Sequence, residues 1–594
     1  MAVQRYKIAL GNARFPLVSI WGQRAVVIPA ADLTTRTFRA FQGAEENLDY
    51  DIPQIIAGEN FVPVANGVKS VSYHRIINPT VNDDFDQIFP LRDADENTVL
   101  FSPSKGKNYR YDKLVGLWDD QPLATMWLAE APPLTLSTTS TNTPATAKVS
   151  RAYVDGKTFV AYSRLALTQV AGPTQTADGS VYFWDSSVPE LQRVKLEVPG
   201  SGIIQNLIDP ARIPNVGEID GVSSSNGYLL VWSGLTIYWA PFNGTAFDFV
   251  PYANGEVTGA GNQIPEDIQG PITAVIPMSG GFIIFTTKNA IAAFYNANNF
   301  ASPWIFKAIS NAGGIEGYEQ AAVEGNLGGL YAYTTGGMQR LTLNAAESVF
   351  PDVTDFIGGR YFETFNPDSL EFSAGAVSLE FFTKVTFCGQ RFLVISYGTF
   401  PGIYSFALIY DASLQRWGKC RIKHVDAFSY SYGTEDAALT YDMLLDVTYD
   451  EMADVAYDDT IVQGGALTYP RQSVAFLLRT GEVKLAVMDY RAPDDDSVSW
   501  IAVGKNEFTR ARLATLHTLE IEGLTVDDRS KVANWRSVNG ATLDAAELGY
   551  NREAAFPYSE FGFDIPTGKN HTFYVQGQFA LTTLIAWISN DASF

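Results

Sequence analysis

Short apolar runs, each broken by a glycine-bearing turn and followed by a second apolar run, recur along the chain from about Val149 onward. Arg151 to Arg164 reads RAYVDGKTFVAYSR, with Asp155-Gly156 at the turn. Tyr228 to Trp239 reads YLLVWSGLTIYW, turning at Ser233-Gly234, and Gly329 to Leu341 reads GLYAYTTGGMQRL, turning at Gly336-Gly337. Gly281 to Tyr295, Phe387 to Tyr397 and Ser473 to Met488 repeat the form, the last turning near Gly481. Asp-Gly is a strong hairpin signal because both residues accept positive φ. No long amphipathic helix with good caps interrupts the series, which argues against an α/β enzyme fold.

The turns near 234, 288, 336 and 389 are spaced by about fifty residues, the length of a four-stranded propeller blade. A sandwich or stacked β domains give similar spacing, and no WD dipeptide or kelch pattern marks the blades. The reading is an all-β chain: a β-propeller core with additional β modules and an irregular N-terminal arm. Residues 1–145 are expected to form that arm and an irregular β region, since Gly58 to Gly67 reads GENFVPVANG with a proline inside. Residues 146–490 are the propeller core and 491–594 a C-terminal β module ending in a strand over Phe579 to Ile588. The polar run Thr138 to Thr146 reads as a linker.

Composition agrees. Aromatics reach 13%, with 49 Gly and 29 Pro, a mixture that suits many short strands joined by turns. The net charge of -23 makes the chain a poor general DNA binder, because affinity for nucleic acid comes from Lys and Arg neutralising phosphates. An acidic wall can instead surround DNA without gripping it, although the charge also serves plain solubility. Cys388 and Cys420 are not in a CxxC pair, so two buried thiols are expected rather than a zinc site. No signal-peptide pattern and no run of about 18 apolar residues is present, so no membrane-spanning helix is expected.

An eight-residue repeat lies near residues 436–465: Tyr441 opens YDMLLDVT, Tyr449 opens YDEMADVA and Tyr457 opens YDDT. Asp442, Asp446, Asp450 and Asp454 admit a calcium reading, but the central Gly and final Glu of an EF-hand loop are absent. A repeated loop or turn unit, with aspartates bonding nearby backbone N–H groups, is preferred. This repeat resembles the tandem "TYDDL"-type segments of tail hub or nozzle (tail tubular) proteins of short-tailed bacteriophages. Tyr404 to Lys419 (YSFALIYDASLQRWGK), Gly313 to Gly337 and Glu59 to Gly67 (ENFVPVANG) are similar to further segments of that family. The resemblance spans about residues 55–490 unevenly, and the family's basic N-terminal opening is not evident. It implies a structural protein of the virion, assembled in the host cytoplasm. Such proteins form a homohexameric ring with a propeller in each subunit, sit below the portal and adaptor rings, carry tail fibres or spikes, and conduct phage DNA through the lumen without specific binding.

Catalytic signatures are missing. His74, His424, His517 and His571 lie far apart in the chain with no metal spacing, and neither a GxSxG elbow nor a phosphate loop occurs. Asp494-Asp495-Asp496 reads as a solvated turn, and Trp232 and Trp239 as core or interface residues rather than sugar platforms. The expectation is a non-enzyme, with no catalytic, cofactor-binding or metal residues and no cofactor. The alternative is a carbohydrate-binding or glycan-degrading propeller, monomeric or trimeric, with paired carboxylates in a cleft.

Overall fold

The computed structural model describes residues 3–10, 54–77, 220–241, 256–317, 329–357, 381–388, 391–400, 402–432, 471–478, 483–489, 498–507, 513–537 and most of 546–590, with strands and short stretches elsewhere between 89 and 373. Apart from a short helix, Pro351–Ile357, the named elements are β-strands. Seven four-stranded antiparallel meanders can be followed among the described residues. Six are continuous in sequence. The first runs from Phe89 to Gln121, the second from Val149 to Arg193 and the third from Gly221 to Gln263. The fourth covers Ile272–Gly313, the fifth Ala321–Ser348 and the sixth Phe382–His424. From the second meander to the seventh, each first strand packs beside the next one. That is the wall of a propeller, so the all-β, propeller-core expectation holds.

The seventh meander closes the ring. Asp426–Tyr432, Arg471–Leu477 and Val483–Asp489 supply three strands, and the fourth is β5 (Ser72–Ile77), which pairs antiparallel with Val483–Asp489. One blade is therefore built from two segments far apart in the chain, joined by backbone hydrogen bonds rather than a covalent link.

Local chemistry explains the hairpins. Ser225 faces Tyr228 across Asn226-Gly227, both at positive φ (49° and 80°), as a type I′ turn demands. Ser233 faces Thr236, so that turn is Gly234-Leu235, one residue beyond the expected position. Thr334 faces Gly337 across Thr335-Gly336, again shifted by one. Thr286 Oγ1 accepts the N–H groups of Lys288 and Asn289, and Thr334 Oγ1 that of Gly336, so the same side chain shapes equivalent turns of consecutive blades. The expected spacing thus marks blades: 234, 288 and 336 fall at the turn between second and third strands, and 389 at the turn between first and second. Hairpin pairing also begins earlier than Val149, with Ser104 facing Lys107 in the first blade.

Of residues 1–145, expected to form an arm and an irregular β region, the described strands are paired into regular sheets. Val3–Ala9 (β1), Gln54–Glu59 (β2), Phe61–Val64 (β3) and Gly67–Ser70 (β4) join the C-terminal strands in one β module. One sheet holds β1, Gln578–Asn590, Ala514–Thr525, Tyr558–Gly562 and Tyr550–Ala555; the other holds β2, Trp500–Glu507, Asn570–Gln576, Lys531–Ser537 and Glu547–Leu548. Leu519, Ile521, Leu584, Ile501, Val503, Phe573 and Val575 share one fully buried core. Through β4 and β3 the first sheet continues into the outer strand of the sixth blade, where Phe61 pairs with Lys419. Residues 491–594 alone are therefore only part of the module. The linker at 138–146 and the Tyr-Asp repeat lie outside the described residues. The repeat falls between Tyr432 and Arg471, the end of the first and the start of the second strand of the closing blade.

Candidate functional site

Two places gather polar side chains. The first is the splice where residues 54–77 thread between module and propeller. Glu59 is nearly buried, and its Oε2 accepts from Arg421 Nη1 at 3.1 Å and from Trp500 Nε1 at 3.4 Å. Asn60 holds a positive φ of 55°, which a short amide side chain tolerates. Its Oδ1 accepts from the Arg421 N–H and the Tyr73 hydroxyl, and its Nδ2 donates to the Val498 carbonyl. Arg416 donates to the carbonyls of Val64, Leu10 and Gly67. Burial lowers its pKa to about 10, with Asp411 opposing the shift, so it stays charged near neutrality. Between the first strands of the sixth and seventh blades, Lys384 Nζ meets Asp426 Oδ1 at 2.5 Å. Each of these groups has a hydrogen-bond or ion-pair partner within the fold. The arrangement ties elements together and offers no free nucleophile or base.

His424, His517 and His571 each bond within the fold. His424 is fully buried, with Nδ1 2.8 Å from the Ile422 carbonyl and Nε2 2.7 Å from Ser396 Oγ. A carbonyl partner requires Nδ1 to carry the proton, so Nε2 accepts from the serine. Burial lowers its pKa to about 4, and Phe476 packs edge-on against the ring. This Ser–His pair is enclosed and bonds only to its own fold. His571, equally buried, contacts Asn534 Oδ1 and the Ala514 carbonyl and is also lowered to about 4 by burial. His517 meets Ser589 Oγ at 2.7 Å. His74 lies in β5 beside Val487. Cys388 and Cys420 are free and buried, as expected; burial pushes both thiols up, Cys420 to about 12. Trp232 and Trp239 are buried between the third and fourth blades, each ring lying over the glycine opposite it, Gly221 and Gly261. They are core residues. Asp442, Asp446, Asp450, Asp454 and Asp494 to Asp496 lie outside the described residues. Among the described residues no group of three metal-capable side chains converges.

The second place is a cavity of about 330 Å³ on the face where the first strands of the second, third and fourth blades end. Tyr153, Val154, Ser224, Ser225, Asn226, Gly227, Pro277 and Met278 line it. Adjacent residues of a strand point to opposite faces, so Ser224 reaches the second blade and Ser225 the fourth. Ser224 Oγ donates to the Tyr153 carbonyl at 3.0 Å and Ser225 Oγ to the Gly281 carbonyl at 2.8 Å. Sequence reasoning missed this place, although Asn226-Gly227 was a readable hairpin signal.

No protein-family profile and no curated protein sequence matches the chain. Solved structures similar to it include the extracellular domain of a one-component system of B. thetaiotaomicron, at 10% identity and a TM-score of 0.35, covering 87% of this chain and 62% of that one. YCF48 from Cyanidioschyzon merolae aligns at 12% identity and a TM-score of 0.30, over 60% of this chain and 91% of its own. AztD of Citrobacter koseri aligns at 11% identity and 0.25, over 55% and 69%. Likenesses at these scores support no inference about function, and the propeller assignment rests on the sheets themselves.

Proposed function

We propose that this propeller protein is a structural part of a short bacteriophage tail, a hub or nozzle subunit whose copies form a ring around the path of ejected DNA and carry fibres or spikes. The observation that carries the reading is the place of the Tyr-Asp repeat. The family-like motif is inserted in the closing blade of a propeller, between Tyr432 and Arg471. From Gly433 to Pro470 that insert contains Glu435, Asp436, Asp442, Asp446, Asp450, Glu451, Asp454, Asp458 and Asp459 and no Lys or Arg, a large share of the net acidity.

The splice adds support. A sheet that runs without a break from a blade into the module makes the subunit a stiff unit, as a load-carrying wall requires. The propeller axis is not the DNA path. Sheets roughly 10 Å apart would place seven first strands on a circle of roughly 22 Å, too narrow after side chains for a duplex whose major groove alone is about 12 Å wide. The conduit is the ring of subunits. Its acidic surface repels phosphates within about 8–10 Å and lets DNA slide.

Mass measurement and electron microscopy of the assembled full-length protein test this. Six subunits around a bore wide enough for duplex DNA support the reading. A stable monomer or trimer that cleaves polysaccharide overturns it in favour of the glycan-degrading alternative.

A further inference from the structure

We infer that Asn226 is a site of spontaneous covalent modification, at which the backbone nitrogen of Gly227 displaces the side-chain amide and water turns the product into aspartate and isoaspartate. Asn226-Gly227 is the turn between the first two strands of the third blade, with Ser225 facing Tyr228 across it. Both residues are exposed. Among the described residues, neither the Asn226 side chain nor the Gly227 N–H has a hydrogen-bond partner. No atom lies within 4 Å of the point where a Gly227 Cβ would stand. A backbone with no side chain, no bond to break and open space around it can swing towards the asparagine at little cost.

The chemistry uses only water and base. Base takes the Gly227 amide proton and the nitrogen attacks Asn226 Cγ. The N–Cγ bond forms, the Cγ–Nδ2 bond breaks, and ammonia leaves with a proton drawn from water. Water then opens the cyclic imide at either carbonyl. Opening at the side-chain carbonyl gives aspartate; opening at the backbone carbonyl gives isoaspartate, whose main chain runs through Cβ and Cγ.

Asn66-Gly67 is the internal control. Asn66 is exposed too, so exposure does not separate the pairs. Gly67, however, pairs with Val64 in the ladder, and its carbonyl accepts from Arg416. The Leu581 carbonyl oxygen would lie 1.8 Å from its Cβ. Its backbone cannot turn without parting β4 from its neighbours. Asn243-Gly244, Asn254-Gly255 and Asn539-Gly540 lie outside the described residues.

Modification at Asn226 acts on the contacts beside it. Ser225 Oγ donates to the Gly281 carbonyl of the fourth blade and Ser224 Oγ to the Tyr153 carbonyl of the second. Isoaspartate adds a backbone carbon to a turn whose length fixes the strand register. It also places a new carboxylate beside both bonds, so the third blade loosens from its neighbours. None of this depends on the tail reading, because it concerns the isolated subunit.

The test is incubation of the folded full-length protein in mildly alkaline buffer, with a parallel sample unfolded in urea. Peptide mapping by mass spectrometry, with fragmentation that separates isoaspartate from aspartate, follows both sites. In the folded protein Asn226 should convert at least about tenfold faster than Asn66. In urea the two should convert at similar rates, since only the fold sets them apart. The fraction modified at Asn226, separated by anion exchange, should unfold at lower urea than the unmodified protein. Asn226→Gly keeps the positive-φ turn and has no amide to lose, so it should show neither the product nor the shift. Equal conversion of Asn226 and Asn66 in the folded protein, or an intact Asn226 while the unfolded sample converts, overturns the inference. An unchanged urea midpoint after conversion overturns the loosening of the blade.

Discussion

Arg416 Nη2 donates to the carbonyl of Gly67 at 3.0 Å, joining the outer strand of the sixth blade to a turn 349 residues earlier in the chain. The same guanidinium reaches Leu10 and Val64, so one side chain gathers the ends of β1, β3 and β4. Arg416→Met keeps much of the apolar stem and withdraws all three donors from a buried place. Unfolding in urea should show a loss of roughly 3 kcal/mol. A loss below about 1 kcal/mol would show that the clamp is dispensable.

Gly67 is fixed by space rather than by dihedral angle. A Cβ there would lie 1.8 Å from the Leu581 carbonyl oxygen. Gly67→Ala must push β4 away from Gln578–Asn590 and should cost about 2–3 kcal/mol. Gly227 is the reverse case, with φ at 80° and open space around it, so Gly227→Ala should cost only about 1 kcal/mol. Equal effects in parallel denaturation curves would contradict this assignment.

Acid should weaken the fold before the carboxylates titrate. His424 and His571 have pKa values near 4 when folded, against an ordinary 6.5. As pH falls from about 6.5 towards 4, the unfolded chain takes up protons that the native state refuses, so stability falls in that window and this contribution levels off below it. The full effect is on the order of 3 kcal/mol per histidine. Urea midpoints measured from pH 7 to pH 4 should decline, and His424→Gln should flatten part of that decline. A flat profile in the wild-type protein would contradict the burial argument.

Removal of residues 578–594 takes away the strand that pairs with both β1 and β4. Limited proteolysis should then cut within 54–77 while the third to fifth blades, which share their own cores, stay protected. An unchanged cleavage pattern would show that β5 alone retains the segment.

The blades were legible because each hairpin is local. Apolar runs and glycine turns a few residues apart mark them, even where Ser233-Gly234 and Gly336-Gly337 placed the turn one residue off. The N-terminal region was not legible for a physical reason. β3 and β4 are buried on both faces, with patterns that lack alternation, since blade and module press on them from either side. Pro63 added a false irregularity inside β3, and apart from the β3–β4 hairpin itself the partners of β2 to β5 lie hundreds of residues away. The two cysteines are buried free thiols, as their isolated places in the chain suggest. The cavity was hidden because its walls come from three blades and only Asn226-Gly227 announces itself in the chain.

The clasp between Ser70 and Phe579 spans 509 residues, and its timing matters to a cell. A ribosome adding about 5–20 residues each second needs roughly 25–100 s to cover that distance. Until then β4 has only its hairpin partner β3, and its other edge waits for Gln578–Asn590. A prematurely terminated product never acquires its latch, and the interval gives chaperones a defined window in which to shield the leading strands.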